Sequence, residues 1–116
     1  MLLSEIANLE PINKTDPLKV LAIADSLKDG TFSAPDLLYS GSHMRAITGS
    51  HRVEAAKYLT ERGYGDLEMD ALDVDEYIDN YCEENECTID DIPYNNLSAI
   101  FMGTDLEAEV MQNEEW

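Results

Sequence analysis

No lysine or arginine occurs beyond Arg62 in this chain of 116 residues. All seven bases lie in residues 1–64 beside eight acids, a net charge of −1, whereas residues 65–116 hold seventeen acids, a net charge of −17. A body this negative is repelled by phosphate, which excludes a simple nucleic-acid reader and casual contact with anionic membranes. Cysteine is scarce too. Cys82 and Cys87 form neither a CxxC pair nor part of a Cys/His cluster, so neither structural zinc nor a disulfide framework is expected, and two reduced thiols in an intracellular protein are. There is no long apolar run, and Met1–Glu5 has no basic leader, so a cytoplasmic protein without a membrane span is expected. Repeats, linkers and low-complexity tracts are missing as well.

What is present is a patterned chain with 44% hydrophobic residues, enough for a folded core despite the charge. Residues 5–13 read as an extended lead-in with Ile6, Leu9 and Ile12 as apolar contacts. Asp16-Pro17 supplies an N-cap and a first-turn proline. Leu18, Leu21, Ile23, Ala24 and Leu27 recur at helical spacing until Asp29-Gly30 stops the helix. After a loop ending at Pro35, Leu37–Tyr39 and Met44–Ile47 read as a hairpin turned by Ser40-Gly41-Ser42. A helix follows over 51–62, with Val53, Ala56 and Leu59 inside, and residues 67–72 alternate as a half-buried strand.

The acidic half is patterned as helix. Asp73 and Glu76 have the spacing of a capping box, ahead of Val74, Tyr77, Ile78, Tyr81 and Cys82 at amphipathic spacing. Tyr94, Leu97, Ile100 and Phe101 predict a second helix closed by Gly103. Thr104 and Glu107 predict a cap for a third, carrying Leu106, Val110 and Met111. The expected fold class is α+β: a small mixed sheet with packed helices over 1–72, and an acidic helical extension over 73–116 packed on it as one compact unit.

The most specific local pattern is strand, then Thr48-Gly49-Ser50-His51-Arg52, then helix. Glycine permits a close turn about an anion, the first amides of the helix point at it, and arginine suits bidentate phosphate contacts. The alternative is that Gly49-Ser50 caps a helix while Arg52 pairs with a nearby acid.

Residues 5–72 resemble the N-terminal domain of ParB-type partition proteins, in the ParB/sulfiredoxin-like superfamily. The resemblance is carried by Leu21–Gly30, by Pro35-Asp36-Leu37-Leu38-Tyr39, and above all by Ile47-Thr48-Gly49-Ser50-His51-Arg52-Val53-Glu54-Ala55-Ala56. It implies a phosphate-binding turn made of Gly49, Ser50, His51 and Arg52, to which Arg45 on the adjacent strand adds a contact. The implied ligand is a nucleotide with Mg²⁺, and the implied activity is at most that of a weak NTPase, phosphotransferase or nuclease-like enzyme. Sulfiredoxins carry a cysteine where Ser50 stands, so sulfinic-acid reduction is not expected. The family's second motif is matched only by Glu84-Asn85-Glu86-Cys87, which lacks its arginine, and no helix-turn-helix follows. A stand-alone module of the kind carried by phages and mobile elements is therefore expected. Glu54 reads as a solvated helix-surface residue before a general base, and His43 as structural or exposed. No acid has diagnostic metal spacing, and no catalytic residue is assigned.

A second reading belongs to another class. A rigid helical face bearing carboxylates, with Asp75, Asp79, Glu83 and Glu84 foremost, imitates the phosphate ladder of DNA and occupies the groove of a basic nucleic-acid-binding protein. Small acidic phage inhibitors of restriction or CRISPR nucleases have a similar composition. Against it stands the plainer use of acidic faces for solubility. The lack of any Lys or Arg over residues 65–116 favours the decoy, because a merely solvated surface intersperses both signs.

Overall fold

A computed structural model describes residues 1–11, 14–34, 36–92 and 99–108. In chain order the elements are α1 (Leu3–Ile6), α2 (Pro17–Asp29), β1 (Leu37–Ser40), β2 (Arg45–Ala46), α3 (Ser50–Glu61), β3 (Ala71–Asp73), α4 (Asp75–Asn85) and a 3-10 turn at Ile89–Asp91. The sheet is mixed, in the order β2-β1-β3: β1 runs antiparallel to β2 and parallel to β3. The molecule is thus a small α+β domain.

The punctuation of α2 acts as expected. Asp16 Oδ1 accepts from the Leu18 N–H at 3.0 Å, proline opens the first turn, and Gly30 closes the helix at φ +73°. Its inner face is shifted, however. Val20, Ile23, Ala24 and Leu27 are buried, at i, i+3, i+4 and i+7, while Leu18 is 77% exposed and Leu21 40%. A stripe through Val20 places Leu18 and Leu21 on the flank, so two of the five residues assigned to that core face lie outside it.

The expected lead-in is instead a helical turn, α1, followed by a bridge at Glu10. The Leu3 N–H donates to the Leu67 carbonyl at 2.8 Å and Met69 to Met1 at 2.9 Å, with Leu2 and Glu68 bridged antiparallel. This pairing occupies residues 67–69, so the predicted strand over 67–72 reaches β1 only at Ala71, opposite Leu37. Ile6 and Leu9 are buried as predicted, and Ile12 lies outside the described residues.

Two apolar clusters flank the central strand. Leu37 joins α1, α2 and α3 through Leu3, Ile6, Ile23, Leu27, Val53 and Leu59. Leu38 faces the other way, toward Ile47, Val74, Ile78, Ile92, Ile100, Phe101 and Leu106. Successive residues of a strand point to opposite faces, so β1 divides the neutral side of the molecule from the acidic side.

On the acidic side the capping-box expectations are replaced by neighbouring arrangements. The Asp75 N–H donates to Asp73 Oδ1 at 3.0 Å, and Glu76 is exposed. Val74 donates to the Tyr39 carbonyl at 2.9 Å and so carries the chain out of the sheet into α4, which begins one residue later than the capping box requires. Thr104 Oγ1 takes the Leu106 N–H at 3.3 Å, while Glu107 takes the N–H of Gly103, one residue before the expected cap. Of the second predicted helix, residues 99–101 form a single 3-10 turn with Ile100 and Phe101 buried; Tyr94 and Leu97 lie outside the described residues, as do Val110 and Met111.

Candidate functional site

Helix α3 opens on Gly49, whose φ of +77° is the left-handed conformation that glycine adopts without strain. A second constraint acts there. A methyl group on Gly49 would lie 2.7 Å from Nε and 2.9 Å from Nη2 of Arg52, because the guanidinium folds back over the glycine. Arg52 is fully buried, and burial lowers its pKa to about 10, with the negative charge of Asp36 pulling the other way. It therefore remains a cation at neutral pH. It lines a cleft of about 320 Å³ between the end of α2, residues 32–34 and residues 68–70, whose wall also includes Phe32, Glu68 and Asp70.

The five predicted phosphate ligands do not converge. Gly49, Ser50 and Arg52 share the start of α3, where both Gly49 and Ser50 are buried. His51 turns toward α2: its Nε2 accepts the Asp16 N–H at 3.1 Å, which assigns the remaining proton to Nδ1 in the neutral ring. That bond ties the start of α3 to the start of α2. Arg45 turns toward the acidic side, with Nη1 3.6 Å from Asp90 Oδ1. Glu54 pairs with Lys57 on the helix surface at 3.5 Å, the solvated role expected of it.

Asp36, Glu68 and Asp70 were not singled out in the sequence. Asp36, in the loop before β1, acts on the charge of Arg52, while Glu68 and Asp70, in the segment before β3, line the same cleft; these elements are distant from α3 in the chain, and no local spacing marks the three acids.

The four acidic candidates divide as well. Asp79, Glu83 and Glu84 are exposed on α4. Asp75 is committed to the fold. Its Oδ1 accepts from Ser40 Oγ at 2.5 Å and its Oδ2 from the Ser42 N–H at 2.8 Å. Burial acts to raise the Asp75 pKa, but the hydrogen bonds from Ser40 and Ser42 and the neighbouring His43 outweigh it and hold the carboxyl below its ordinary value. His43 Nδ1 lies 2.8 Å from Ser40 Oγ and 3.1 Å from Ser42 Oγ. Since the Ser40 proton goes to Asp75, Ser40 is the acceptor of the His43 Nδ1–H and of the His43 backbone N–H, 3.2 Å away. The chain Asp75–Ser40–His43 places a buried serine in the middle, so it is a clasp between the hairpin turn and α4. It lacks the order of a nucleophilic triad, in which histidine stands between the acid and the hydroxyl.

Comparison with protein-family models, curated proteins and solved structures finds no match to this chain. Among the described residues, no group of three or more His, Cys, Asp or Glu side chains could hold a metal ion, and no helix is long and apolar enough to cross a membrane.

Proposed function

We propose that the chain is a non-enzymatic binding module whose acidic face, centred on Asp79, Glu83 and Glu84 of α4, docks in the basic groove of a nucleic-acid-binding protein. One observation carries this reading: the exposed carboxylates stand on a helix whose start is tied to the hairpin turn and whose inner face is backed by its own apolar cluster. Charges mounted on a fixed scaffold can match a periodic basic surface without the ordering cost that a flexible acidic tail meets on binding. The Tyr77 hydroxyl, donating to Asp105 at 2.7 Å, extends the same face onto the segment after residue 99. Asp75 ties the start of α4 to the hairpin turn.

The test is competition. Basic DNA-binding proteins carrying a labelled duplex are titrated with the wild-type chain and with an Asp79→Asn, Glu83→Gln, Glu84→Gln variant. The wild type is expected to displace the duplex in a salt-sensitive manner, and the variant to associate at least roughly tenfold more slowly. Displacement that is indifferent to these three charges would refute the reading.

A second reading is favoured by the cleft at Arg52, whose volume lies at the small end for ligand sites. Here the scaffold is ParB-like, and the turn Gly49–Arg52 receives the phosphate of a nucleotide with Mg²⁺. Asp36, Glu68 and Asp70 make the surroundings of Arg52 net negative, which is why this reading stands second. Calorimetry of the wild-type chain with nucleoside triphosphates and Mg²⁺ decides it: absence of binding at millimolar ligand removes it.

A further inference from the structure

Helix α4 ends on a residue poorly suited to ending helices. Glu86 occupies the left-handed position at φ +51°, where glycine is the usual occupant. The Cys82 carbonyl accepts from the N–H of Glu86 and, at 3.1 Å, from the N–H of Cys87. The second of these is the long hydrogen bond of a Schellman motif, which folds the chain back so that the residue after the left-handed position lies against the last turn of the helix. An apolar contact commonly fills that spot. Here it is filled by two thiols.

The Cys82 and Cys87 side chains are hydrogen-bonding neighbours, both partly exposed, and both packed on the edge of the acidic-side core. A disulfide requires Cα atoms roughly 4.4–6.8 Å apart and side chains directed toward one another. The backbone hydrogen bond between the same two residues, and the packing of both side chains on one apolar cluster, bring the two thiols close together within a single turn of chain. Asn85 Nδ2 donates to the Tyr81 carbonyl at 2.8 Å and holds the same turn.

We propose that Cys82 and Cys87 form a reversible intramolecular disulfide that staples the C-terminal turn of α4, with a small-molecule disulfide such as oxidised glutathione as oxidant. The Cys87 thiolate attacks one sulfur of the oxidant, giving a mixed disulfide and releasing one glutathione thiolate. The Cys82 thiolate then attacks the Cys87 sulfur, closing the ring and releasing the second. The two cysteine protons pass to the two leaving thiolates, so one disulfide is reduced as the other forms. Burial, the hydrogen bond to Cys87, and the charges of Cys87, Asp79 and Asp91 hold the Cys82 thiol above its ordinary pKa, and the same bonds are exchanged whichever of the two thiolates attacks first. The bond would close within the turn that carries Glu83, Glu84 and Glu86. It fixes that part of the acidic face whether or not the face has the partner proposed above.

The experiment equilibrates the wild-type chain with oxidised and reduced glutathione, quenches with an alkylating agent and reads intact mass. It is performed on the folded chain and again in concentrated urea. The folded chain is expected to lose two hydrogens and resist alkylation, with an effective thiol concentration at least roughly tenfold above that of the unfolded chain. The oxidised form should melt roughly 4 °C or more above the reduced one. Cys82→Ser and Cys87→Ser should each yield only a glutathione adduct. Mixed disulfides as the main product of the folded wild type, covalent dimers, or equal effective concentrations in buffer and urea would each overturn the proposal.

Discussion

The two sides of β1 are held together by different physics. On the neutral side α1, α2 and α3 bury a continuous set of aliphatic side chains against Leu37, and the polar ties that matter, such as Asp16 to His51, lie at the ends of helices. On the acidic side the apolar cluster gathers around Leu38, and carboxylates serve as connectors: Asp75 to Ser40 and Ser42, Asp73 to Asp75, Asp105 to Tyr77, Asp91 to Thr88 and Glu107 to Gly103. Acids on this side are therefore of two kinds, those that accept hydrogen bonds within the fold and those that face solvent. Net charge counts them alike, although the first kind is already committed to hydrogen bonds of the fold.

The strongest break in this comparison is expected at Phe101. The ring is fully buried and lies 6.0 Å from Tyr77, centroid to centroid. Phe101→Ala should cost about 3–5 kcal/mol. If the acidic side is the weaker of the two, hydrogen exchange should show amides of α4 opening while those of α2 and α3 stay protected. Leu59→Ala, buried on the neutral side, should destabilise by about 2–5 kcal/mol and lower protection throughout. Equal loss of protection in both variants would mean that the sides unfold as one unit.

Gly49 and Gly63 sharpen the view of the neutral side. Both have positive φ, but a methyl group at Gly63 meets nothing within 4 Å, while one at Gly49 meets the Arg52 guanidinium. Gly63→Ala should cost about 1 kcal/mol, from backbone conformation alone. Gly49→Ala should cost about 2 kcal/mol or more, because it also displaces a buried cation. Denaturant midpoints of the two variants measure the difference. Equal costs would show that the guanidinium relaxes freely.

Asp75 is the corresponding test on the acidic side. Its folded pKa lies below the ordinary aspartate value, so the stabilisation is complete above about pH 4 and is lost as the pH falls through the folded value. Acid also relieves repulsion among the remaining carboxylates, so wild type and Asp75→Asn are compared at each pH. The variant should be less stable by about 1–2 kcal/mol at neutral pH, with the gap closing in acid. A gap that is constant with pH would assign the effect to shape instead of charge.

Local chemistry made α2, α3 and the hairpin legible. Asp16-Pro17, Gly30 and Gly49 are conformational signals that act over a few residues, and each stands where it was read. What was not legible depends on pairing across the chain. The turn α1 and the start of β3 follow from Met1–Leu3 lying beside residues 67–69. The arrangement of the candidate site was hidden for the same reason. A helix N-terminus with Gly, His and Arg is recognisable as a pattern, but His51 bonds to the Asp16 amide, Arg45 lies beside Asp90 and Arg52 feels the charge of Asp36, partners that all lie elsewhere in the chain. Asp75 was read as a surface charge because its partner Ser40 is 35 residues away.

The smallest expected effect concerns Glu86, at the junction between connector acids and surface acids. A non-glycine residue at φ +51° carries conformational strain, and its carboxylate adds to the negative end of the α4 dipole. Glu86→Gly removes both at the expense of a more flexible unfolded chain, and the net gain should be about 0.5–1 kcal/mol. Because the Schellman geometry is kept, the contact between Cys82 and Cys87 should persist, and the variant should oxidise at least as readily as the wild type. A rise in midpoint with no loss of oxidation would show that the strain at Glu86 is separable from the thiol pair. A fall in midpoint would mean that the Glu86 side chain makes a compensating contact on the acidic face, which would move it from the surface acids to the connectors.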